Sequence, residues 1–345
     1  MRDFIKSIQK VIFPVTTLPQ GTNSSNHSGS LSDAELALLI KFLSPLKMPV
    51  QLNAASWGAV LQRPLNSVIS DFKAKNLIVN GSLRDQLEAL TVVDLKSICK
   101  KKNISSAGKK NQIINQILSD PNPLSEPLSP VLVCSPAGKL IAQKHKDSLE
   151  ADRLNTLRLT VAELEAYRFS NATKIIAAYE SRQVFTRGIG INWTVSNDPT
   201  DSVPALKIMF QSVPKILNEL SDIQIQQLRI AGSLAMLLGE KEVKEYLPTS
   251  VGWSHRLDPA EAARMIVSFA NNERAKLRAQ SEKFFTGYVT ISTTYDCCES
   301  CKSFSNKRYL ASKAPELPHQ HCTESRGCRC MFQPETRSYD SIVRG

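Results

Sequence analysis

The sequence predicts a mainly α, multi-domain protein, and three observations lead there. Apolar residues recur at helical spacing over most of the chain between Asp33 and Phe285. Five prolines, at positions 121, 123, 127, 130 and 136, interrupt that pattern and mark a boundary. Six of the eight cysteines fall between Cys297 and Cys330, beyond the helical stretch. A chain of 345 residues exceeds one compact core of ordinary size, so several units are expected. The expected division is a flexible N-terminal segment 1–32, a small helical unit 33–80, a helix-turn-helix unit 83–120 and a proline-rich linker 121–148. A helical domain 149–290 and a cysteine-rich module 291–345 complete it.

The first nineteen residues, MRDFIKSIQKVIFPVTTLP, are broken by Lys6, Gln9 and Lys10 and stop at Pro14, which makes a poor secretory signal. Residues 19–30 are polar and turn-rich, with nothing to bury. The chain has no run of eighteen apolar residues, so no membrane span is expected. An intracellular location is the expectation, cytoplasmic, or nuclear in a eukaryote. Triplets such as Asn171-Ala-Thr173 then read as chance glycosylation matches. From Asp33 the positions Leu36, Leu39, Ile40 and Leu43 form one helical face. Trp57 with Leu61, and Val68 with Ile69 and Phe72, continue it in two further short helices. Leu77-Ile78-Val79 reads as a brief strand. Three helices and a strand admit a winged-helix arrangement and, equally, a small helical bundle.

Leu90 to Leu118, LTVVDLKSICKKKNISSAGKKNQIINQIL, carries the sharpest signal. Thr91 is placed to cap a helix, with Asp94 three residues on as an aspartate version of the capping box. Val92, Leu95, Ile98 and Cys99 give it one apolar stripe. A second helix is expected after Gly108, whose missing side chain opens a backbone angle closed to most residues, and it buries Ile113, Ile114, Ile117 and Leu118. Lys96, Lys100, Lys101, Lys102, Lys109 and Lys110 remain outside, with Asp94 the one acid between Thr91 and Leu118. The turn brings lysines from the end of one helix toward those opening the next, where backbone N–H groups face outward. That combination suits phosphate oxygens.

The segment resembles a SAP motif, in which a first helix with Asp-Leu-Lys, an extended turn and a Gly-Lys-Lys helix start bind DNA. Asp94-Leu95-Lys96, Ile104, Gly108-Lys109-Lys110 and the apolar Ile113, Ile114 and Leu118 carry the resemblance. Asn103 stands where that family usually has glycine, and asparagine tolerates the left-handed conformation. The expected nucleic-acid contacts are Lys101, Lys102, Ser106, Gly108, Lys109 and Lys110. The balance of 43 Lys and Arg against 32 Asp and Glu, a formal +11, favours a polyanionic partner. Aromatic content of 6% disfavours single-strand stacking platforms and points to duplex DNA. A protein-docking role for the helix pair is the competing expectation.

Beyond about Lys146 the pattern is strongly helical. A long stretch, Leu149 to Arg187, is followed by Pro204 to Leu220, Ile223 to Leu238 and Asp258 to Phe285. Asp258 with Pro259 is a helix start.

The final cysteines lie in YDCCESCKSF and LPHQHCTESRGCRCMF with His319 and His321. In a reducing compartment clustered thiolates select zinc, and a Cys-x-x-Cys turn supplies two of its four ligands. The preferred structural zinc set is Cys298, Cys301, Cys322 and Cys328, with Cys297, Cys330 and His321 as alternates. Free redox-active thiols and disulfides are the other two chemistries such a cluster admits.

Asp296, Cys298-x-x-Cys301, Leu317-Pro318-x-x-x-Cys322 and Gly327-Cys328-Arg329-Cys330 also resemble the C-terminal end of phage head-morphogenesis or minor capsid proteins. That resemblance implies protein partners in capsid or portal assembly.

Catalytic residues are not expected. Ser254, His255 and Asp258 share one loop without a nucleophile elbow, and Gly188-Ile-Gly190 lacks the remainder of a phosphate loop. Glu240, Glu242 and Lys244 read as an exposed charged face. A zinc-braced nuclease using His319 or His321 is the weakest alternative. The function expected is therefore non-catalytic binding.

Overall fold

The computed structural model describes residues 31–338, apart from 50, 51, 123, 125, 126, 186–197, 240–242, 250 and 251. The N-terminal linker, Gly188, Gly190, Glu240 and Glu242 thus lie outside the described residues. Twelve α-helices and two three-stranded sheets make up the described chain, which is mainly α with a cysteine cluster at its C-terminal end. None of these helices is long and apolar enough to cross a membrane.

The first unit opens with α1 (Asp33–Lys41), where Ser32 and Glu35 close a reciprocal capping box. Next come β1 (Leu46–Lys47), α2 (Ala54–Leu61), α3 (Leu65–Ala74) and β2 (Ile78–Asn80). Asn53 caps α2 by accepting from the Ser56 N–H at 3.0 Å. Gln62, in the left-handed region, and Pro64 then turn the chain into α3. α3 buries Leu65, Val68, Ile69 and Phe72, the i, i+3, i+4, i+7 face of one helix. On α1 and its C-cap the buried residues are Leu38, Leu39 and Phe42, while Leu36, Ile40 and, just beyond, Leu43 are only half-buried. The helix is rotated from the expected face because a later helix also packs on it.

The third strand, β3 (Val131–Cys134), comes from the stretch expected to be linker. It lies between the other two in the order β1–β3–β2, antiparallel to both, with Leu46 and Asn80 each opposite Leu132. Residues 81–130 are therefore inserted between two hydrogen-bonded neighbours of one sheet. The insertion holds α4 (Leu83–Glu88), α5 (Val92–Lys102) and α6 (Lys110–Ser119). Its core is its own: Leu87, Leu95, Cys99, Ile113, Ile114 and Ile117, with Leu124 and Leu128 of the proline-rich stretch packed against it.

The long helix α7 (Pro136–Glu165) begins well before Leu149, the start expected from the sequence. Pro136 ends the proline run yet occupies the first helical turn, where a missing N–H is harmless. Ser135 caps the helix at the Gly138 N–H, 3.0 Å away, and donates its hydroxyl to the Asn76 carbonyl at 2.6 Å. A Cβ on Gly138 would sit 1.9 Å from the Leu77 carbonyl oxygen, so only glycine lets α7 press against the backbone leading into β2.

The far half of α7 joins α8 (Phe169–Ser181), α9 (Val203–Gln211), α10 (Asp222–Leu238) and α11 (Pro259–Ser281). Asp258 caps α11, as its spacing to Pro259 predicts. The expected run to Phe285 stops at Ser281, and Phe285 instead opens β4 (Phe285–Ser292). α12 (Glu299–Lys302), β5 (Arg308–Leu310) and β6 (Met331–Thr336) follow, in the sheet order β5–β4–β6. One core runs from Leu157 through α8–α11 to Val289, Ile291 and Phe332, and it includes Cys301, Cys322, Cys328 and Cys330. The cysteine-rich end and the helical domain thus share a core, because strands this short bury little unless they lie on a helix such as α11.

Candidate nucleic-acid interface and metal centre

The inserted unit builds its lysine-bearing turn from three local devices. Thr91 and Asp94 form the capping box of α5, the Thr91 hydroxyl accepting from the Asp94 N–H at 3.2 Å. The Thr91 hydroxyl and N–H, both bonded to the Asp94 carboxylate, hold its pKa below the usual aspartate range. Asn103 ends α5 with φ 55°, the left-handed conformation its side chain tolerates. Gly108 has φ 107°, and the Gln112 side chain then accepts the Lys109 N–H at 2.7 Å to start α6.

The six expected contact residues divide into two groups. Lys101, Gly108 and Lys109 are exposed and Ser106 is half-buried, with Lys96 and Lys100 also exposed on α5. Lys102 and Lys110 face inward instead. The Lys102 ammonium pairs with Asp120 at 2.8 Å, its side chain only 5% exposed, and also donates to the Asn122 carbonyl. Lys110 donates to the Glu88 carbonyl at 2.6 Å. These two lysines tie α5 and α6 to the chain on either side of the motif. Composition alone does not distinguish this use of lysine from a phosphate contact.

At the other end, a backbone turn places Cys298 before α12 and Cys301 within it, while the loop before β6 brings Cys322, Cys328 and Cys330. Two triads of sulfur ligands result, Cys298–Cys301–Cys322 and Cys301–Cys328–Cys330, each with its atoms within 4.8 Å of one another. Cys301 belongs to both. The Sγ atoms of Cys298 and Cys322 are 3.8 Å apart, as are those of Cys301 and Cys328. A tetrahedron with zinc–sulfur bonds of about 2.3 Å has edges of about 3.8 Å. The two pairs have the length of such an edge, but the four sulfurs of the expected set are not gathered into one group: they divide between two triads that share Cys301. All eight cysteines of the chain are free thiols. Cys297 and His321 fall outside both triads. His321 is exposed and its Nε2 meets the Gln320 side chain at 2.8 Å, while His319 packs its ring 4.8 Å from that of Phe304.

The thiols titrate as a group. Hydrogen bonds from Cys301, Cys322 and Cys330 lower the pKa of Cys328, and hydrogen bonds to Cys322, Cys328 and Cys330 raise Cys301. The hydrogen bond to Cys301 lowers Cys330, but that to Cys328 and burial outweigh it and leave it raised. Hydrogen bonding to Cys301 lowers Cys322, but the hydrogen bond with Cys328 and burial override it and push Cys322 up to about 12. Burial raises Cys298, yet hydrogen bonds from the Thr323 and Cys301 backbone outweigh it and leave its pKa lowered to about 7. Cys298 and Cys328 are thus the thiols that ionise most readily, while Cys301, Cys322 and Cys330 hold their protons.

Three residues outside the cluster hold this loop, of which Asn272 and Arg256 carry no sequence signal. Asn272 on α11, buried to 3% exposure, accepts the Phe332 N–H at 2.8 Å and donates to the Cys330 carbonyl at 3.3 Å. Arg256 donates to the carbonyls of Cys322 and Glu324. Asp296 pairs with Arg329 at 2.7 Å and with Arg326 at 3.2 Å. His255 accepts the Leu257 N–H on Nδ1 and so donates from Nε2 to the Ile216 carbonyl at 3.0 Å, a structural role beside the cap of α11.

No curated protein matches this chain. The family model described as the SAP domain matches residues 86–117, which spans the end of α4, all of α5 and nearly all of α6. That match does not extend to the cysteine-rich end that resembles phage head-morphogenesis proteins. Residues 86–117 of this chain are a SAP domain, a module that implies nucleic-acid binding.

Proposed function

We propose that the protein binds duplex DNA inside the cell through its SAP domain, without catalysis, and that a structural zinc ion braces its C-terminal end. The observation that carries the reading is the one-signed turn of the SAP domain. Lys101 and Lys109 are exposed there, with Lys100 adjacent and with the amides near Ser106 and Gly108. Each phosphate neutralised adds roughly 0.9 to the log–log salt slope, so two or three lysines give weak, sequence-independent affinity. Zinc would be held by Cys298, Cys301, Cys322 and Cys328, whose thiolates it stabilises, with Cys330 buried beside them.

Fluorescence anisotropy of a labelled duplex across a salt series tests the DNA reading. Lys101→Ala/Lys109→Ala should weaken binding and make the salt slope shallower by about two. Lys102→Ala/Lys110→Ala should instead lower the melting temperature of the SAP domain, because those ammonium groups already have protein partners. An unchanged binding curve in the first variant would transfer the SAP domain to protein docking.

A further inference from the structure

We propose that α3 is a second duplex-DNA contact, presenting Asn66, Ser67, Ser70 and Lys73 to the major groove beside the backbone held by the SAP domain. The proposal rests on the reading of the SAP domain as a DNA binder and adds a surface outside it. α2 and α3 form a helix-turn-helix: two helices separated only by Gln62, Arg63 and Pro64, with a three-stranded sheet behind them. The buried face of α3 is complete, so its opposite face has no part in the core. That face carries Asn66, Ser67, Ser70 and Lys73, all exposed, continued by Lys75 and Asn76 past the helix end. These are short hydrogen-bonding side chains and cations, the groups that read base edges and phosphates.

The charge is also sorted. The one carboxylate on α3, Asp71, stands at the edge of the face and is bonded by Arg63 at 2.5 Å, while the same guanidinium reaches Glu35 at 2.5 Å. Acidic charge is thereby neutralised at the flank, and the exposed surface stays positive toward a polyanion. Asn66 and Ser67 lie in the first turn, the part of a recognition helix that approaches bases.

The insertion makes the two surfaces one device. Only Gly81 and Ser82 separate the end of β2 from α4, and α4 lies against β3. Lys47 on β1 is near enough to Asp94 of the SAP domain to help lower its pKa. The SAP domain is therefore docked on the sheet behind α3, and binding by one surface raises the effective concentration of duplex at the other.

The test uses the full chain and a labelled mixed-sequence duplex. Ser70→Glu/Lys73→Glu should weaken binding roughly tenfold or more at low salt with an unchanged melting temperature. Combining it with Lys101→Ala/Lys109→Ala should bring binding to background. If the glutamate variant melts early, Ser70→Ala/Lys73→Ala is read instead, with the same direction expected. A parental curve for the α3 variant beside a weakened SAP variant overturns the α3 contact and leaves the SAP reading standing. Loss in the α3 variant beside a parental SAP variant supports the α3 contact and overturns the SAP one. A parent that does not bind duplex overturns both.

Discussion

The SAP domain and the cysteine cluster are both small, polar and built around a turn, yet they are stabilised in opposite ways. The SAP domain closes a core from residues within about one helical hairpin of each other, and its helix ends are capped by neighbours three positions away. The cysteine cluster sits in a core whose other members lie as far back as Leu157, and its loop is pinned by Asn272 and Arg256. Local closure makes a unit that transfers between proteins. Remote closure makes one that survives only with its helical platform.

The largest effect that would sharpen this contrast is loss of metal. Chelation of the zinc-loaded protein, or Cys301→Ser, should release one zinc per chain and destabilise the C-terminal unit by roughly 4 kcal/mol or more. The SAP domain should melt unchanged. Metal analysis with differential scanning calorimetry reads both, and a cysteine end that melts as before after chelation would break the comparison.

Asn272→Ala comes next. It leaves the Phe332 N–H and the Cys330 carbonyl without their partner inside the core, a loss of about 2 kcal/mol. Urea melts should place all of it in the C-terminal transition, and a loss confined to β6 exchange rates would argue that the loop is an independent module.

Thr91→Ala should remove about 1 kcal/mol, and only from the SAP domain, by deleting the cap of α5. Hydrogen exchange of α5 and α6 against that of α10 and α11 would show whether the effect stays local.

The smallest effect is electrostatic. The Arg168 guanidinium, with the Asn171 amide, lowers the Glu163 carboxyl to about 2, joining the end of α7 to the start of α8. A lowered carboxylate contributes stability above its unfolded pKa and loses it as pH falls through the folded one. The contribution of Glu163 should thus fade between about pH 4.5 and 2, and Glu163→Gln should flatten stability across that window relative to the parent. Parallel pH–melt curves for the two proteins would refute the assignment.

The same contrast explains what the sequence reveals. Asp94-Leu95-Lys96, Asn103 and Gly108 each do in the structure what their chemistry predicts, because each acts on residues a few positions away. The helix starts at Asp33, Asp258 and Lys110 are legible for the same reason. What escaped is long-range. β3 was hidden among prolines, since a four-residue strand has no periodicity of its own and takes its place from β1 and β2. Pro136 signals a stop and a first helical turn alike. The buried tasks of Lys102 and Lys110 depend on Asp120, Asn122 and Glu88, and nothing in a lysine run distinguishes an inward ammonium from an outward one. The five-sulfur cluster was legible as composition, whereas Asn272 and Arg256 carry no spacing signal.

The insertion of residues 81–130 between paired strands also dictates a timetable for a chain made from its N-terminus. When β2 leaves the ribosome its neighbour β3 does not yet exist, and at about 5–20 residues per second several seconds pass before it does. The SAP domain is finished within that interval. Its folding draws Asn80 and Leu132 together and so replaces a long flexible closure with a short one, whose entropic penalty is smaller. The guest is thus the scaffold on which the host completes its sheet during synthesis.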